Sequence, residues 1–368
     1  MKILQLASDD AWGGAERALL AIVDGTRAHA GVEVSALLLN QGRLARELRE
    51  RGVRVTLLDE RRASWPRLVR ALRRHLVAER IDVVHAHRYK EVLVAALAAP
   101  RGCRLVMTVH GLEPWRQAGL AASLRTWTCL LAARAAGARF AAVSAELTQR
   151  LARRLGRGRV ARVPNPLAAP AGSAVVGDLR AKCGWPAGRP LVGFVGRLEM
   201  VKGPDRLLDV ARLTPRETGF VLIGGGSLAT ALASRIAAEG LGERVALIGE
   251  VPDATRYLPQ LDVLAMTSRH EGLPMVLLEA AAADLPVIAY DVGGVREILD
   301  DGPASRRIQD GDAAAFAAAL AATLSQRESS RAAAAAWGAS VRDRFDAART
   351  SAAYLSLYRG EPPAAQGA

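Results

Sequence analysis

Short apolar runs rich in β-branched residues alternate with longer amphipathic stretches through the first half of the chain. The runs KILQLA, VEVSALLL and VRVTLL are separated by segments with helical apolar spacing, and IDVVHAH, CRLVMTVH and ARFAAVS follow. Apolar strands joined by connections of helix length are typical of a parallel sheet that is covered on both faces. The first half is therefore predicted to be a doubly wound, Rossmann-like α/β domain.

The alternation stops at VPNPLAAPAGSAV, residues 163–175, and then starts again. This stretch is rich in Pro, Gly and small residues, which is typical of a linker. Beyond it the runs PLVGFVG, GFVLIGGG, RVALIGEV, LDVLAMTS and LPVIAY predict a second Rossmann-like domain. We predict a first domain over 1–165, a linker over 166–188, a second domain over 189–345, and a C-terminal helix and tail over 346–368 that can pack back on the first domain. Two such domains imply a cleft between them, where ligands of open α/β sheets bind beyond the strand ends.

Bulk composition narrows the class of protein. The chain has 368 residues, half of them hydrophobic, which is enough for two ordinary cores. It contains no run of about 18 uncharged apolar residues, and the apolar stretch before Asp9 is too short for a secretory signal. A cytoplasmic location is expected. Cys103, Cys129 and Cys183 are scattered and odd in number, so we expect reduced packing residues and no zinc site.

The net formal charge of +13 is confined to one half of the chain. Residues 1–168 hold 29 Lys and Arg against 14 Asp and Glu, a net +15, whereas the remainder holds 21 against 23, a net −2. Such a basic half suits a nucleic-acid binder or a domain that rests on an anionic membrane surface. An arginine-rich coding bias is the alternative, but it would not obviously spare the second half.

FVGRLEMVKG, residues 194–203, is a candidate anion site. A predicted strand ends before Gly196, and Arg197 and Lys202 stand on the loop before a helix that Pro204 can begin. Free N–H groups and the helix dipole favour negative charge at such a place, so a diphosphate would fit. Taken alone, a solvated loop with incidental charges is equally consistent with this stretch.

Two carboxylates flank the turn in RHEGLPMVLLEAAAADLP. Glu271 precedes Gly-Leu-Pro, and Glu279 follows inside an apolar run. Pro274 suits the first turn of a helix, so Glu271 is predicted in the loop just before it and Glu279 in about the second turn. Carboxylates at one strand-to-helix junction can accept hydrogen bonds from vicinal hydroxyls such as those of sugars and riboses. An acid so surrounded by apolar residues as Glu279 is unusual on a surface.

Glycines and histidines supply weaker candidates. Gly13 and Gly14 open a predicted helix after the first strand and would let a ligand approach the backbone closely, although the third glycine of a dinucleotide fingerprint is absent. His85, His87 and His110 each lie at or just past a strand end, with no spacing that requires a metal. His85 is predicted to be packed. His110, which ends a strand and precedes a glycine, is the better functional candidate.

The ordered set GGAE, GRLEMVKG, EGLPMVLLE and GGVRE resembles the retaining glycosyltransferases of family 4, which have the GT-B fold: two Rossmann-like domains that face each other across a cleft, with C-terminal helices. The resemblance covers nearly the whole chain. It implies a hexosyltransferase that moves a sugar from a nucleotide-diphosphate donor to a glycan or lipid-linked acceptor, as in bacterial cell-surface polysaccharide assembly.

The resemblance also implies residue roles. Arg197 and Lys202 would hold the diphosphate, and Glu279 would bind the ribose hydroxyls. Glu271 would hold the hydroxyls of the donor sugar, and His110 would lie beside that sugar. The backbone groups of Gly272, Leu273, Pro274 and Met275 would assist Glu271, and the loop of Gly13 and Gly14 would approach phosphate and acceptor.

Charge stabilisation on the departing diphosphate is the main electrostatic task of glycosyl transfer. Arg197, Lys202 and a helix dipole supply it without a metal, and no Asp-x-Asp motif lies near the site, so we expect no metal cofactor. In the family, retention is described as a same-face displacement in which the leaving phosphate helps to deprotonate the acceptor. The polar segment DDGPASRRIQDGD departs from the family pattern, and its strand pairing stays open.

The basic half suggests a surface for the acceptor side. Residues 64–80 have an apolar side and a strongly basic side at helical spacing, and residues 112–131 add Trp115 and Trp127. Any helix that packs on a sheet shares part of this pattern. We predict a first domain that docks reversibly on the inner leaflet of the cell membrane, near a lipid-linked or polymeric acceptor.

Two other functions stay open. A GT-B sugar-nucleotide epimerase would release a rearranged free sugar nucleotide and transfer nothing to an acceptor. A basic nucleic-acid-binding protein is disfavoured because aromatic residues make up only 4% of the chain and no stacking or groove-reading module is visible. UDP-, GDP- and ADP-sugars all stay candidate donors.

Overall fold

The computed structural model describes residues 1–9, 12–111, 119–167 and 177–361, and the chain divides into two compact units. The first comprises Met1–Ala168 together with Asp346–Ala368, and the second comprises Ala169–Phe345. Residues 177–188, which the sequence analysis placed in the linker, fall in the second unit. Leu179 is fully buried there, and its N–H donates to Gln260 Oε1 at 2.8 Å.

A seven-stranded sheet forms the centre of the first unit. Its strands are β1 (Lys2–Ala7), β2 (Glu33–Leu38), β3 (Arg54–Leu57), β4 (Val83–Ala86), β5 (Arg104–Val109), β6 (Arg139–Ala142) and β7 (Val160–Arg162). They pair in parallel in the order β3-β2-β1-β4-β5-β6-β7. The inner strands are buried on both faces, as their continuous apolar runs predict.

Helices with one apolar side cover this sheet. They are α1 (Gly14–Arg27), α2 (Arg43–Glu50), α3 (Trp65–Ala78), α4 (Tyr89–Ala98), α5 (Leu120–Ala135) and α6 (Ala145–Leu155). In α3 the three leucines at i, i+4 and i+8 are buried and the arginines between them point outward, which is the expected amphipathic arrangement.

The second unit repeats the architecture with six parallel strands. They are β8 (Leu191–Val195), β9 (Gly219–Ile223), β10 (Val245–Gly249), β11 (Val263–Met266), β12 (Val287–Tyr290) and β13 (Ser305–Ile308), in the order β10-β9-β8-β11-β12-β13. The helices are α7 (Leu179–Lys182), α8 (Pro204–Leu213), α9 (Ala229–Ala238), α10 (Met275–Ala282), α11 (Ala313–Ser325) and α12 (Arg327–Arg344). The predicted fold class, two doubly wound α/β domains, is confirmed.

The polar segment with open pairing forms the edge strand β13. It runs parallel to β12, with Tyr290 opposite Ile308. The preceding turn is held by Asp301, whose carboxylate accepts from the backbone N–H of Arg307 at 2.8 Å and pairs with the Arg307 guanidinium. An edge strand has one exposed side, which is why a polar sequence is tolerated there.

The C-terminal helix α13 (Ala347–Arg359) belongs to the first unit. The Asp346 side chain caps it by accepting from the N–H of Arg349 at 2.9 Å. Its buried residues Tyr354, Leu355 and Tyr358 join one apolar cluster with sheet residues that include Ile3 and Val106. The last helix of the described residues therefore completes the core of the first unit.

Within the described residues, every helix is too short or too polar to cross a membrane. The three cysteines are free thiols; Cys129 is buried, and Cys103 and Cys183 are partly buried.

Candidate functional site

The loop that follows β8 is held in place by its backbone. The N–H of Gly196 donates to the carbonyl of Ile223 at 3.1 Å, and the N–H of Leu198 donates to the carbonyl of Gly225 at 2.8 Å. Met200–Lys202 then form one 3-10 turn, and Gly203 ends it with φ +66° as the N-cap of α8. The loop thus presents Lys202 from a rigid support, immediately before a helix that starts at Pro204, as predicted.

Two glycines allow the backbones around this loop to touch. A Cβ on Gly203 would lie 2.1 Å from the carbonyl oxygen of Thr267, and that glycine has a left-handed backbone. A Cβ on Gly293, with φ +55°, would lie 1.9 Å from the carbonyl oxygen of Glu271. Only glycine fits either position. Gly293 begins the GGVRE motif. The motif needs glycine at this position because the backbone of the Glu271 loop lies against it.

Lys202 and Glu271 form the central ion pair of the site. Lys202 Nζ donates to Glu271 Oε1 at 2.7 Å and to Oε2 at 2.9 Å. Ser268 Oγ also donates to Glu271 Oε1 at 2.7 Å. Glu271 is 8% exposed, whereas the Lys202 side chain is 28% exposed. The carboxylate is thus fixed by two donors, while the ammonium keeps an open side.

A second ion pair fastens the Glu271 loop to the Lys202 loop. The Arg269 guanidinium donates to both Asp205 oxygens at 2.8 and 2.6 Å and to the carbonyl of Met200 at 2.8 Å. The Arg269 N–H donates to the carbonyl of Val201 at 2.8 Å. The two hydrogen bonds and their charge hold the pKa of Asp205 below its ordinary value, although burial opposes this shift. Sequence reasoning missed Arg269 and Asp205, since neither stands in a motif.

The other predicted residues of the second unit lie on the same two segments. Arg197 is exposed on the loop after β8 and is outside the Lys202–Glu271 pair. Glu279 lies in the second turn of α10 and is 8% exposed. The helix begins at Met275, with Pro274 as its N-cap. Gly272, Leu273, Pro274 and Met275 form the connection from Glu271 into α10, and all but Gly272 are buried.

In the first unit, Gly13 and Gly14 open α1 at the carboxyl end of β1. Gly13 is the N-cap, with the extended φ of −166°, and a Cβ there would lie 3.5 Å from Glu16 Oε2, an ordinary contact. Glu16 is buried and pairs with Arg88 at 2.5 Å. The fold of the described residues therefore does not itself require glycine at position 13.

His110 follows β5 and is partly buried. Burial is the main cause that lowers its pKa to about 4; the nearby charge of Arg88 acts in the same direction, and a hydrogen bond with Asn165 opposes it. His110 is thus a neutral imidazole at physiological pH. His85 is fully buried, as predicted, and bonds to Thr108 Oγ1 at 2.7 Å. Among the described residues, no group of three or more His, Cys, Asp or Glu is arranged to hold a metal ion.

Family models match both halves of the chain. The model "Glycosyltransferase Family 4" matches residues 12–168, and "Glycosyl transferases group 1" matches residues 176–337. The second match contains the Lys202–Glu271 and Arg269–Asp205 ion pairs and Glu279. The first match contains Gly13, Gly14 and His110.

Curated relatives share part of the chain. It is 33% identical over 186 residues to a D-inositol 3-phosphate glycosyltransferase of Xylanimonas cellulosilytica, which covers 49% of this chain and 44% of the relative. It is 34% identical over 155 residues to a 2-deoxystreptamine N-acetyl-D-glucosaminyltransferase of Streptomyces fradiae, over 40% and 37% of the two chains. The alignments thus span less than half the length of these relatives.

Solved structures share the fold over nearly the whole length. Alr3699/HepE of Anabaena in complex with UDP and glucose superposes with a TM-score of 0.84 at 21% identity, over 98% of this chain and all of that chain. WaaG, a glycosyltransferase involved in lipopolysaccharide biosynthesis, superposes with a TM-score of 0.73 at 16% identity, over 98% and 100%.

Proposed function

The chain belongs to the GT-B glycosyltransferases that combine a family 4 domain with a group 1 domain, and we propose that it transfers a sugar from a nucleotide-diphosphate donor to a glycan or lipid-linked acceptor with retention of configuration. The Lys202–Glu271 pair carries the proposal, because a cation and an acid held together suit a ligand with a phosphate and hydroxyls at adjacent positions. Assembly of a bacterial cell-surface polysaccharide is the proposed setting.

The donor's diphosphate is proposed to bind at Lys202 and Arg197. Both stand on the loop before α8, where the helix dipole adds positive potential. In the free protein Glu271 neutralises Lys202, so the ammonium is already placed and needs only to turn its open side to the ligand. Preorganised charge of this kind stabilises negative charge that develops on a leaving group. These cations make the reaction, as we propose it, independent of a metal.

The donor's hydroxyls are proposed to bind at the two acids. Glu271 has two oxygens held by Lys202 and Ser268, and each oxygen of a carboxylate can accept further hydrogen bonds. Glu279 is proposed to bind the ribose. The backbone of Gly272, Leu273, Pro274 and Met275 would line the same connection. Alr3699/HepE of Anabaena, solved in complex with UDP and glucose and with UDP-glucose, supports a nucleotide-sugar ligand for this fold.

The first unit is proposed to hold the acceptor. His110 would lie beside the transferred sugar and, as a neutral imidazole, would act through hydrogen bonds and not through charge. Gly13 and Gly14 would face phosphate and acceptor, which gives a reason for the absent side chain at position 13. The leaving phosphate would help to deprotonate the acceptor on the same face of the sugar.

A donor screen tests this proposal. One of UDP-glucose, GDP-mannose and ADP-glucose at about 100 times its Kd should stabilise the second unit by about 2.7 kcal/mol, which raises its Tm by about 5–10 °C. The same donor should glycosylate a glycan or lipid acceptor in the presence of EDTA. NMR of the product should show that the anomeric configuration of the donor sugar is retained. A rearranged free sugar nucleotide without transfer would instead identify an epimerase, and loss of activity with EDTA would contradict metal independence.

The surface of the first unit that is formed by α3, α4 and α5 is proposed to rest on an anionic membrane. Here α3 packs against α4, and α4 against α5. Each helix exposes large apolar side chains, and α3 adds exposed arginines between them. Trp115 lies outside the described residues, and Trp127 is half-buried with the Arg154 guanidinium 4.3 Å above its ring. The exposed apolar residues are Trp65 (47%), Val77 (56%), Leu97 (58%), Leu120 (77%), Leu124 (67%) and Leu131 (47%). Apolar side chains among arginines suit the boundary between lipid headgroups and acyl chains.

Charge reversal on α3 tests the membrane surface. The variant Arg70→Glu/Arg73→Glu should bind phosphatidylglycerol vesicles at least about 30-fold more weakly in a flotation assay, because each basic residue contributes about 1 kcal/mol at such a surface. Arg212→Glu/Arg216→Glu in the second unit has the same net charge and should bind like the wild type. Equal loss in both variants would show that only overall charge matters, and unchanged binding in the α3 variant would rule this face out.

A further inference from the structure

Three imidazoles form a row at the carboxyl ends of β4 and β5. The ring centroids of His85 and His87 lie 4.2 Å apart, and those of His87 and His110 lie 5.9 Å apart with an interplanar angle of only 19°. His85 lies on β4 and Thr108 on the neighbouring β5, and His87 and His110 directly follow the ends of these two strands. The row therefore leads from the core of the first unit to His110.

The middle ring of the row has a defined orientation. His87 is 5% exposed, and its Nε2 lies 2.8 Å from Gln5 Oε1. An amide oxygen can only accept, so the Nε2 of His87 carries the hydrogen and Nδ1 is the unprotonated nitrogen. Within the described part of the chain, that Nδ1 has no hydrogen-bond partner. Burial is the main cause that keeps the pKa of His87 well below its ordinary value, and His85, His110 and Arg88 add to it.

The inner end of the row is fastened to the C-terminal helix. His85 Nδ1 lies 2.7 Å from the hydroxyl of Tyr358, and His85 Nε2 lies 2.7 Å from Thr108 Oγ1. The same Thr108 oxygen lies 2.9 Å from the hydroxyl of Tyr354. Both tyrosines are fully buried and stand one turn apart on α13. His85 is thus held from both ring nitrogens and gives His87 an immobile neighbour.

We infer that His87 is a positioning residue that sets the ring plane of His110, with Gln5 and the His85–Tyr358 hydrogen bond as its supports. The second dihedral of a histidine side chain has broad preferences, so the plane of the His110 ring depends on its contacts, which are the stacked His87 ring and the hydrogen bond with Asn165. A parallel neighbour restricts this rotation, and a leucine in place of His87 would fill the core without restricting it. Burial of polar rings has a free-energy cost that apolar packing alone would avoid. This inference rests on the proposed role of His110.

The test compares His87→Leu with His87→Phe, which keeps a flat ring against His110. Nucleotide release from UDP-glucose, GDP-mannose and ADP-glucose gives kcat and KM. His87→Leu should lower kcat by about 10–100-fold while KM for the donor stays within about 3-fold, since small displacements of a reacting group have effects of this size. His87→Phe should recover most of that kcat. His75→Leu, at a half-buried histidine of α3, serves as the matched control and should behave like the wild type.

A double variant separates positioning from stability. In a His110→Ala background, His87→Leu should lower kcat by less than about 2-fold further, because residues that act as one unit are not additive. A wild-type kcat for His87→Leu beside a reduced kcat for His110→Ala would overturn the inference and leave the proposed function standing. A wild-type kcat for His110→Ala would show that His110 itself has no role in the reaction, and the inference would fall with it.

Should His87→Leu not fold, Gln5→Met replaces it, because that change deletes the amide that bonds His87 and Tyr358 and leaves the His87 ring in place. It should lower kcat in the same direction and by a smaller factor. NMR of the protein with labelled histidine should show the proton of His87 on Nε2 in the wild type, and a proton on Nδ1 would overturn the inference.

Discussion

Lys202→Met is expected to lower kcat by about 10²–10³-fold, since loss of one preorganised group that faces developing negative charge has effects of this order. The methionine keeps the length of the side chain and removes only the ammonium that lies 2.7 Å from Glu271 Oε1. Because the cation acts mainly on the departing diphosphate, kcat should fall more than donor affinity. Nucleotide release at saturating donor measures the change.

The control for Lys202→Met is Lys182→Met, at an exposed lysine of α7 in the same unit. It removes the same charge and should keep the wild-type rate. The site variant also leaves Glu271 buried with one donor fewer, so its Tm should be compared with that of Lys202→Met/Glu271→Gln, in which no unbalanced charge is left. A rate near that of the wild type for folded Lys202→Met would contradict the assignment of the leaving-group site.

Gly203→Ala is expected to abolish donor binding and to destabilise the second unit by several kcal/mol. The added methyl group would lie 2.1 Å from the carbonyl oxygen of Thr267, so the loop that presents Lys202 must move away from the Glu271 loop. The left-handed φ of +66° adds about 1 kcal/mol for alanine. The denaturation midpoint and the donor-induced Tm shift measure the two effects.

Gly240→Ala separates strain from collision. Gly240 has the same φ of +66° in the same unit, but a Cβ there meets nothing within 4 Å. Its destabilisation should stay near about 1 kcal/mol with donor binding intact. If both variants lost the same stability and both bound donor, the contact between the two loops would not support the site.

Several features follow from local pattern. Apolar runs separated by helical segments predicted two doubly wound parallel sheets. These runs form the strands, beginning with β1, because a buried parallel strand needs apolar residues on both faces. Pro204 begins α8 and Pro274 is the N-cap of α10, since proline is compatible with the start of a helix but not with its interior. The position of Glu271 before a turn and of Glu279 in the second helical turn was also predictable.

The hydrogen-bond and ion-pair partners of these residues could not be predicted from the sequence. Lys202 with Arg197 was predicted to bind phosphate and Glu271 to bind sugar, and these remain predictions; only the structure shows that Lys202 bonds directly to Glu271, 69 residues away along the chain. Arg269 and Asp205, 64 residues apart, stood in no motif. The function of the GGVRE glycine became clear only from the 1.9 Å approach that a Cβ would make to the backbone of Glu271.

The longest-range example is the histidine row. Spacing placed His85, His87 and His110 near strand ends, but it could not show that Tyr358, 273 residues from His85, completes their hydrogen bonds. Periodicity reports which side of an element is apolar, because that depends on neighbours along the chain. Which polar groups meet depends on strand order and on where α13 returns to the sheet, and those contacts exist only once the chain has folded.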